Sequence, residues 1–264
     1  MEFYVIPPLS QLDLINSGER VFVLAQLWLK DENYRKFILD QKAQGKWITL
    51  DNGVGDHDFI SQEDLLKVVQ DLMPNEVIAL DVLYNSEATI YNLERFIDMM
   101  RANDLLDKVQ IFGAPQGNTK IDWLDCYTYM VSHPDVSTIG LSKIALPHIY
   151  KTGTNDVGIM EARHACYEEL KRAELIIKPI HCLGAGDPRE FLKYINDPLM
   201  RSTDSCFSIW AAMNGIDWHE GDFARVRTPR DYFDREISQE QIKLAERNID
   251  FLKKVLNATG SKNI

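Results

Sequence analysis

Leu175-Ile176-Ile177-Lys178-Pro179-Ile180-His181-Cys182-Leu183 runs directly into Gly184-Ala185-Gly186-Asp187-Pro188. An apolar run that stops at such a glycine- and proline-rich turn reads as a buried strand, expected over residues 176–183, leading into a loop. Residues 188–194 then read as helix-like, and residues 201–204 as the next strand, within Arg201-Ser202-Thr203-Asp204-Ser205-Cys206. Two strands joined through a helical crossover form a parallel unit. This one ends on a carboxylate, Asp204, set between two hydroxyls. His181, inside the apolar strand, reads as a core histidine whose ring nitrogens find partners there.

Toward the N-terminus the same unit recurs. Strands are expected at residues 21–26, 47–51, 77–81, 108–113 and 138–142. Helices are expected between them at 32–44, 61–73, 86–103, 121–132 and 156–173, the last carrying Glu161 and Arg163 on its polar side. Ser61 and Asp64 have the spacing of an N-terminal cap, and Pro134 stands just behind the helix at 121–132. A last amphipathic helix is expected at about 238–256. Seven strands in alternation with helical segments predict a parallel sheet with helices outside it, and at 264 residues the economical closure is a single-domain (β/α)8 barrel over 1–264. Residues 3–6 and 223–226 are the two candidates for the eighth strand, and 147–156 and 214–235 are the longest irregular stretches.

In a parallel barrel the loops after the strands share one mouth, which is where chemistry collects. The expected strand ends carry Asp51, Asp81, the run Ala114-Pro115-Gln116-Gly117, the run Ile139-Gly140-Leu141-Ser142-Lys143, Gly184 and Asp204. A ring of carboxylates, a carboxamide and glycines suits a neutral, hydrogen-bonding heterocycle together with acid–base or nucleophilic work.

Composition narrows the classes. The chain is 45% hydrophobic and 26% charged with no long apolar run, so it is expected to be a folded protein without a membrane span. Met1-Glu2-Phe3-Tyr4-Val5-Ile6-Pro7-Pro8 does not read as a secretion signal, and a cytoplasmic location is expected. Cys126, Cys166, Cys182 and Cys206 form no CxxC pair and read as small core residues in a reducing compartment. Asp56-His57-Asp58 does not suit a metal, because adjacent side chains on an extended segment point apart; no metal and no cofactor is expected. The net charge of −11 lies wholly in residues 1–200, since residues 201–264 hold ten basic and ten acidic side chains. A polyanion would therefore approach the C-terminal quarter, where Arg225, Arg227, Arg230 and Arg235 are interleaved with Asp222, Asp231 and Asp234.

Taken in order, these motifs resemble those of the tRNA-guanine transglycosylase superfamily, whose members exchange guanine for a 7-deazaguanine base. Thr49-Leu50-Asp51-Asn52-Gly53 resembles its Thr-Asp-Ser-Gly-Gly motif, Leu80-Asp81 the motif whose acid pairs with the guanine edge, and Pro115-Gln116-Gly117 its Val-Gln-Gly. Ile139-Gly140-Leu141 is similar to its Ile-Gly-Gly-Leu, Gly184-Ala185-Gly186-Asp187-Pro188 to its glycine–proline turn, and Thr203-Asp204-Ser205-Cys206 to the motif holding its nucleophile. The family's zinc subdomain and appended RNA-binding domain have no counterpart in this sequence. The compact set looks most like the phage enzymes that place 7-deazaguanines in DNA, which would put the protein in the host cytoplasm.

The resemblance implies Asp204 as nucleophile and Asp51 as acid–base group. It also implies Asp81, Gln116, Gly140, Leu141 and Gly184 as contacts to the base, with Tyr84 or Phe112 as candidates for a stacking ring. Ala145 stands where members that accept an aminomethyl base carry an acid, which favours a neutral base such as the nitrile. DNA is the expected partner, together with the free 7-deazaguanine. The same exchange on tRNA, hydrolysis or salvage of a free deazaguanine nucleoside, and a binding barrel without turnover remain the alternatives.

Overall fold

The computed structural model describes residues 1–53, 60–184, 186–194, 196–224 and 226–257. Eight parallel strands form one sheet: β1 Glu2–Val5, β2 Val21–Leu24, β3 Ile48–Asp51, β4 Glu76–Ile78, β5 Gln110–Gly113, β6 Val136–Ser142, β7 Ile180–Leu183 and β8 Met200–Ser205. Their order is β1-β8-β7-β6-β5-β4-β3-β2. A parallel bridge from Tyr4 to Arg20, with the Glu19 N–H donating to the Phe3 carbonyl, brings β1 against the start of β2 and closes the ring. The fold is a (β/α)8 barrel, and its eighth strand is the N-terminal candidate; residues 223, 224 and 226 lie outside any strand.

The helices are α1 Ala25–Lys30, α2 Glu32–Ala43, α3 Gln62–Leu72, α4 Ser86–Ala102, α5 Lys120–Ser132, α6 Ala145–Tyr150, α7 Asp156–Arg172, α8 Phe207–Met213 and α9 Gln239–Leu256. Their starts are chemically specified. Asp31, Ser61, Asn85, Thr119, Asn155 and Ser238 each accept a backbone N–H of the first turn through the side chain. In α3 the residues Leu65, Val68, Val69 and Leu72 fall on one stripe and are all fully buried. Each such side chain contributes roughly 1.5–3 kcal/mol by leaving water.

Three expectations shift for local reasons. The strand expected to reach residue 26 stops at Leu24, because Ala25-Gln26-Leu27-Trp28-Leu29-Lys30 is a run of good helix formers and becomes α1. The strand expected from 176 starts only at Ile180, since Pro179 has no N–H for the ladder and Ile177 stands 61% exposed before it. The β4 ladder ends at Ile78 rather than 81, because Asn52 Nδ2 takes the Ala79 carbonyl at 2.8 Å. Arg163 is corrected as well: it is fully buried rather than on a polar face, and pairs with the buried Glu190 at 3.1 Å. Among the described residues no helix is long and apolar enough to cross a membrane.

Candidate active site at the barrel mouth

Alternation along the strands points every second side chain into the barrel. Low in the barrel these are polar. Arg201 donates to both Glu76 oxygens at 2.9 and 2.8 Å, Thr138 donates to Glu76 Oε1 at 2.5 Å, and Thr49 to Glu76 Oε2 at 3.1 Å. Above them Tyr4, Phe22 and Phe112 surround the His181 ring, with Phe22 stacked on it at 5.9 Å between centroids. Over this floor opens a cavity lined by Asp51, Asn52, Asp81, Gln116, Ser142, Lys143, Gly184, Asp204, Ser205 and Cys206, among others.

Asp204 and Asp51 thus open onto the same space. Three steps around the ring separate β8 from β3, so the two carboxyls approach from nearly opposite walls. Two donors converge on one oxygen of Asp204. The Gly184 N–H and the His181 Nε2 both lie 2.9 Å from Oδ1, and no hydrogen bond to Oδ2 occurs among the described residues. Burial pushes the Asp204 carboxyl up, but the donors on Oδ1 and the Lys143 ammonium outweigh it and leave it below the ordinary value. Gly184 turns its N–H this way at φ +71°, and a Cβ there would strike the Lys143 side chain. Arg163 grips the same turn from behind, donating to the Leu183 and Gly184 carbonyls.

On the other wall, Asp81 is the centre of a carboxamide pair. Asn52 Nδ2 donates to its Oδ1 at 2.9 Å and Gln116 Nε2 to its Oδ2 at 2.6 Å. Burial outweighs these donors and pushes the Asp81 carboxyl up to about 6. Gln116 is itself buried, and its Oε1 accepts the Tyr84 N–H at 3.3 Å. The result is a rigid polar edge able to read donors and acceptors on a flat heterocycle.

Of the expected site residues, Asp51, Asp81, Gln116, Gly184 and Asp204 meet at this cavity. Gly140 and Leu141 do not line it. They sit within β6 opposite His181 and Cys182, and the residues that follow them, Ser142, Lys143 and Ile144, reach the cavity instead. Gly140 is small because Phe112 and Leu183 fill the space its Cβ would need. Neither stacking candidate is among the lining residues. Phe112 is sealed in the floor, and Tyr84 packs on His148 at 4.6 Å, whereas Phe22, Phe207 and Phe233 line the cavity. Cys206 also lines the cavity, unlike the three buried cysteines.

Arg227 and Arg230 are exposed and flank Thr228, a lining residue, and neither forms an ion pair among the described residues. Arg235 is held by Asp231 at 2.9 Å. Arg225 and the Asp56-His57-Asp58 run lie outside the described residues. The sequence reading names Asn52, Ser142 and Lys143 within its motifs but gives them no site role, and takes His181 for a core histidine. The first three belong to runs at the strand ends; the place of His181 beside Asp204 carried no local signal, because the two are 23 residues apart.

No protein-family model matches the sequence, and no curated protein matches it. Among solved structures, the crystal structure of RipC from Yersinia pestis is similar at 10% identity, over 98% of this chain and 96% of that one, with a TM-score of 0.49.

Proposed function

We propose that this chain is a base-exchange transglycosylase that replaces guanine in DNA with a 7-deazaguanine through a covalent Asp204–glycosyl intermediate. The observation that carries the reading is the pairing of Asp204 and Asp51 across one cavity whose wall is the Asn52–Asp81–Gln116 edge. In the first step an Asp204 oxygen bonds to C1′ of the target nucleotide while the C1′–N9 bond breaks. The electron pair leaves with guanine, whose N9 takes the Asp51 proton. In the second step the incoming base gives its N9 proton back to Asp51, its nitrogen bonds to C1′, and the bond from C1′ to Asp204 breaks. Two inversions give net retention at C1′. Asp81 and Gln116 read the guanine-like edge, and a base lacking those groups leaves them unpaired and is rejected. The target base must be out of its stack to reach the cavity, and in this reading the exposed Arg227 and Arg230, on either side of the lining residue Thr228, take flanking phosphates.

The test is exchange of labelled guanine or 7-deazaguanine into DNA, tRNA and a free nucleoside side by side. Incorporation into DNA is expected. Incorporation into tRNA alone, or release of base from the nucleoside alone, would move the substrate to those classes. Asp204→Asn is expected to abolish a protein–DNA adduct that survives a denaturing gel; an adduct that persists puts the nucleophile elsewhere.

A further inference from the structure

A chain of hydrogen bonds climbs the inside of the barrel to Asp204, and the direction of each proton in it can be read. Arg201 is anchored below by its two-pronged pair with the fully buried Glu76. Its Nε–H can only donate, and it donates to Ser202 Oγ at 3.1 Å. Ser202 is fully buried, and its other partner among the described residues is His181 Nδ1 at 2.8 Å. The hydroxyl proton therefore goes to Nδ1, which must be an acceptor. The ring proton then sits on Nε2, 2.9 Å from Asp204 Oδ1. The reverse tautomer would aim the Nε2 lone pair at a carboxylate and leave the Ser202 hydroxyl proton without an acceptor.

We infer that His181 is the positioning residue of Asp204, locked as the neutral Nε2–H tautomer by the Glu76–Arg201–Ser202 relay beneath it. This rests on the reading that Asp204 is the reacting carboxylate. The surroundings agree. The charged or titratable groups near the ring are Asp204 above, with Lys143 beside it, and Arg201, Glu76 and Tyr4 from the other elements of the barrel. Full burial lowers the imidazole pKa, and the nearby guanidinium lowers it further against the pull of the two carboxylates. The arrangement serves both steps. With the Nε2–H and the Gly184 N–H on Oδ1, Oδ2, which has no hydrogen bond among the described residues, is the oxygen assigned to C1′. In the glycosyl ester Oδ1 becomes the carbonyl oxygen, and the same two donors ease departure of the carboxylate. A neutral donor stays in place through the cycle, whereas an imidazolium would hold the carboxylate too tightly to attack.

Long-range proton–nitrogen NMR of uniformly labelled protein tests the tautomer without reference to turnover, with His181→Gln identifying the ring. The expected pattern is a bare Nδ1 and a protonated Nε2, unchanged from about pH 6 to 8. A doubly protonated ring or an Nδ1–H tautomer in that range overturns the inference. In exchange assays His181→Phe, which removes the donor, is expected to lower kcat by roughly 100-fold with little change in KM for the base. His181→Gln, whose amide can still donate, should recover part of the loss. A folded His181→Phe protein with unaltered kcat overturns the positioning role. Should that variant not fold, Ser202→Ala replaces it: loss of the single-tautomer pattern is expected, and an unchanged pattern refutes the relay. If the wild-type protein exchanges no base on any substrate, the transglycosylase reading fails, while the NMR result still decides the tautomer.

Discussion

Asp81 is a half-buried residue with two carboxamide donors aimed at its carboxyl, and desolvation still wins, leaving its pKa at about 6 against an ordinary 3.8. A folded-state pKa above the unfolded one means that the folded chain holds the proton more tightly. The stability from this group is complete below the unfolded value and is lost as pH rises through about 6. Between pH 5 and 7 the loss should be about 1 kcal/mol. Urea unfolding of the wild type and Asp81→Asn across this range checks it: the difference between the two should change with pH, and parallel curves would remove the assignment. A destabilising carboxylate on the wall of a cavity is what a site looks like when its geometry serves a ligand rather than the fold. In the sequence Asp81 was visible as an acid near a strand end; its proton affinity was not, because that depends on Asn52 and Gln116 closing over it from two other strands.

At the scale of elements, α9 shows how a helix legible as amphipathic can carry more than a stripe. Its apolar face buries Ala245, Ile249, Leu252, Val255 and Leu256, but Asn248 sits fully buried among them. The Asn248 side chain donates to the Ser208 and Ile216 carbonyls at 3.3 and 2.9 Å and accepts the Trp218 N–H at 3.0 Å. It thereby ties α9 to α8 and to the segment leading away from Asp204 and Ser205. Asn248→Ala takes the side-chain partner from the Ile216 carbonyl and the Trp218 N–H and should cost roughly 3 kcal/mol, read as a lower urea midpoint at unchanged m-value. Asn248→Asp should be comparably damaging, since a carboxylate cannot donate to the two carbonyls. A loss near zero in both would mean that water replaces the amide. Element existence was readable here from the 3.6-residue period; α1 was not, because six apolar and helix-forming residues continue a strand without a break.

At the scale of the molecule, the Arg201–Glu76 pair joins β8 to β4 across the barrel, 125 residues apart in the chain. Removing one partner strands a charge inside. Arg201→Met is expected to destabilise the chain by about 3–5 kcal/mol, and adding Glu76→Met should recover much of it, because replacing both partners with apolar groups removes the desolvation penalty. Equal stability of the single and double variants would show that the pair carries no such coupling.

The chain's alternation of apolar runs and capped helices determined the parallel barrel by itself, because strand and helix periods and their punctuation are written within a few residues. It also determined that Asp51, Asp81, Gln116, Gly184 and Asp204 stand at strand ends or in the loops just after them, and these share one face of a parallel barrel. Only the tertiary structure decided that β1 closes the ring, that Ser142 and Lys143 rather than Gly140 and Leu141 reach the cavity, and that His181 stands under Asp204. The physical reason is register. The β7–β8 pairing shifts by a residue between Ile180 and His181, which brings His181 level with Ser202. That shift arises from contacts between distant segments, on which no local pattern in either strand bears.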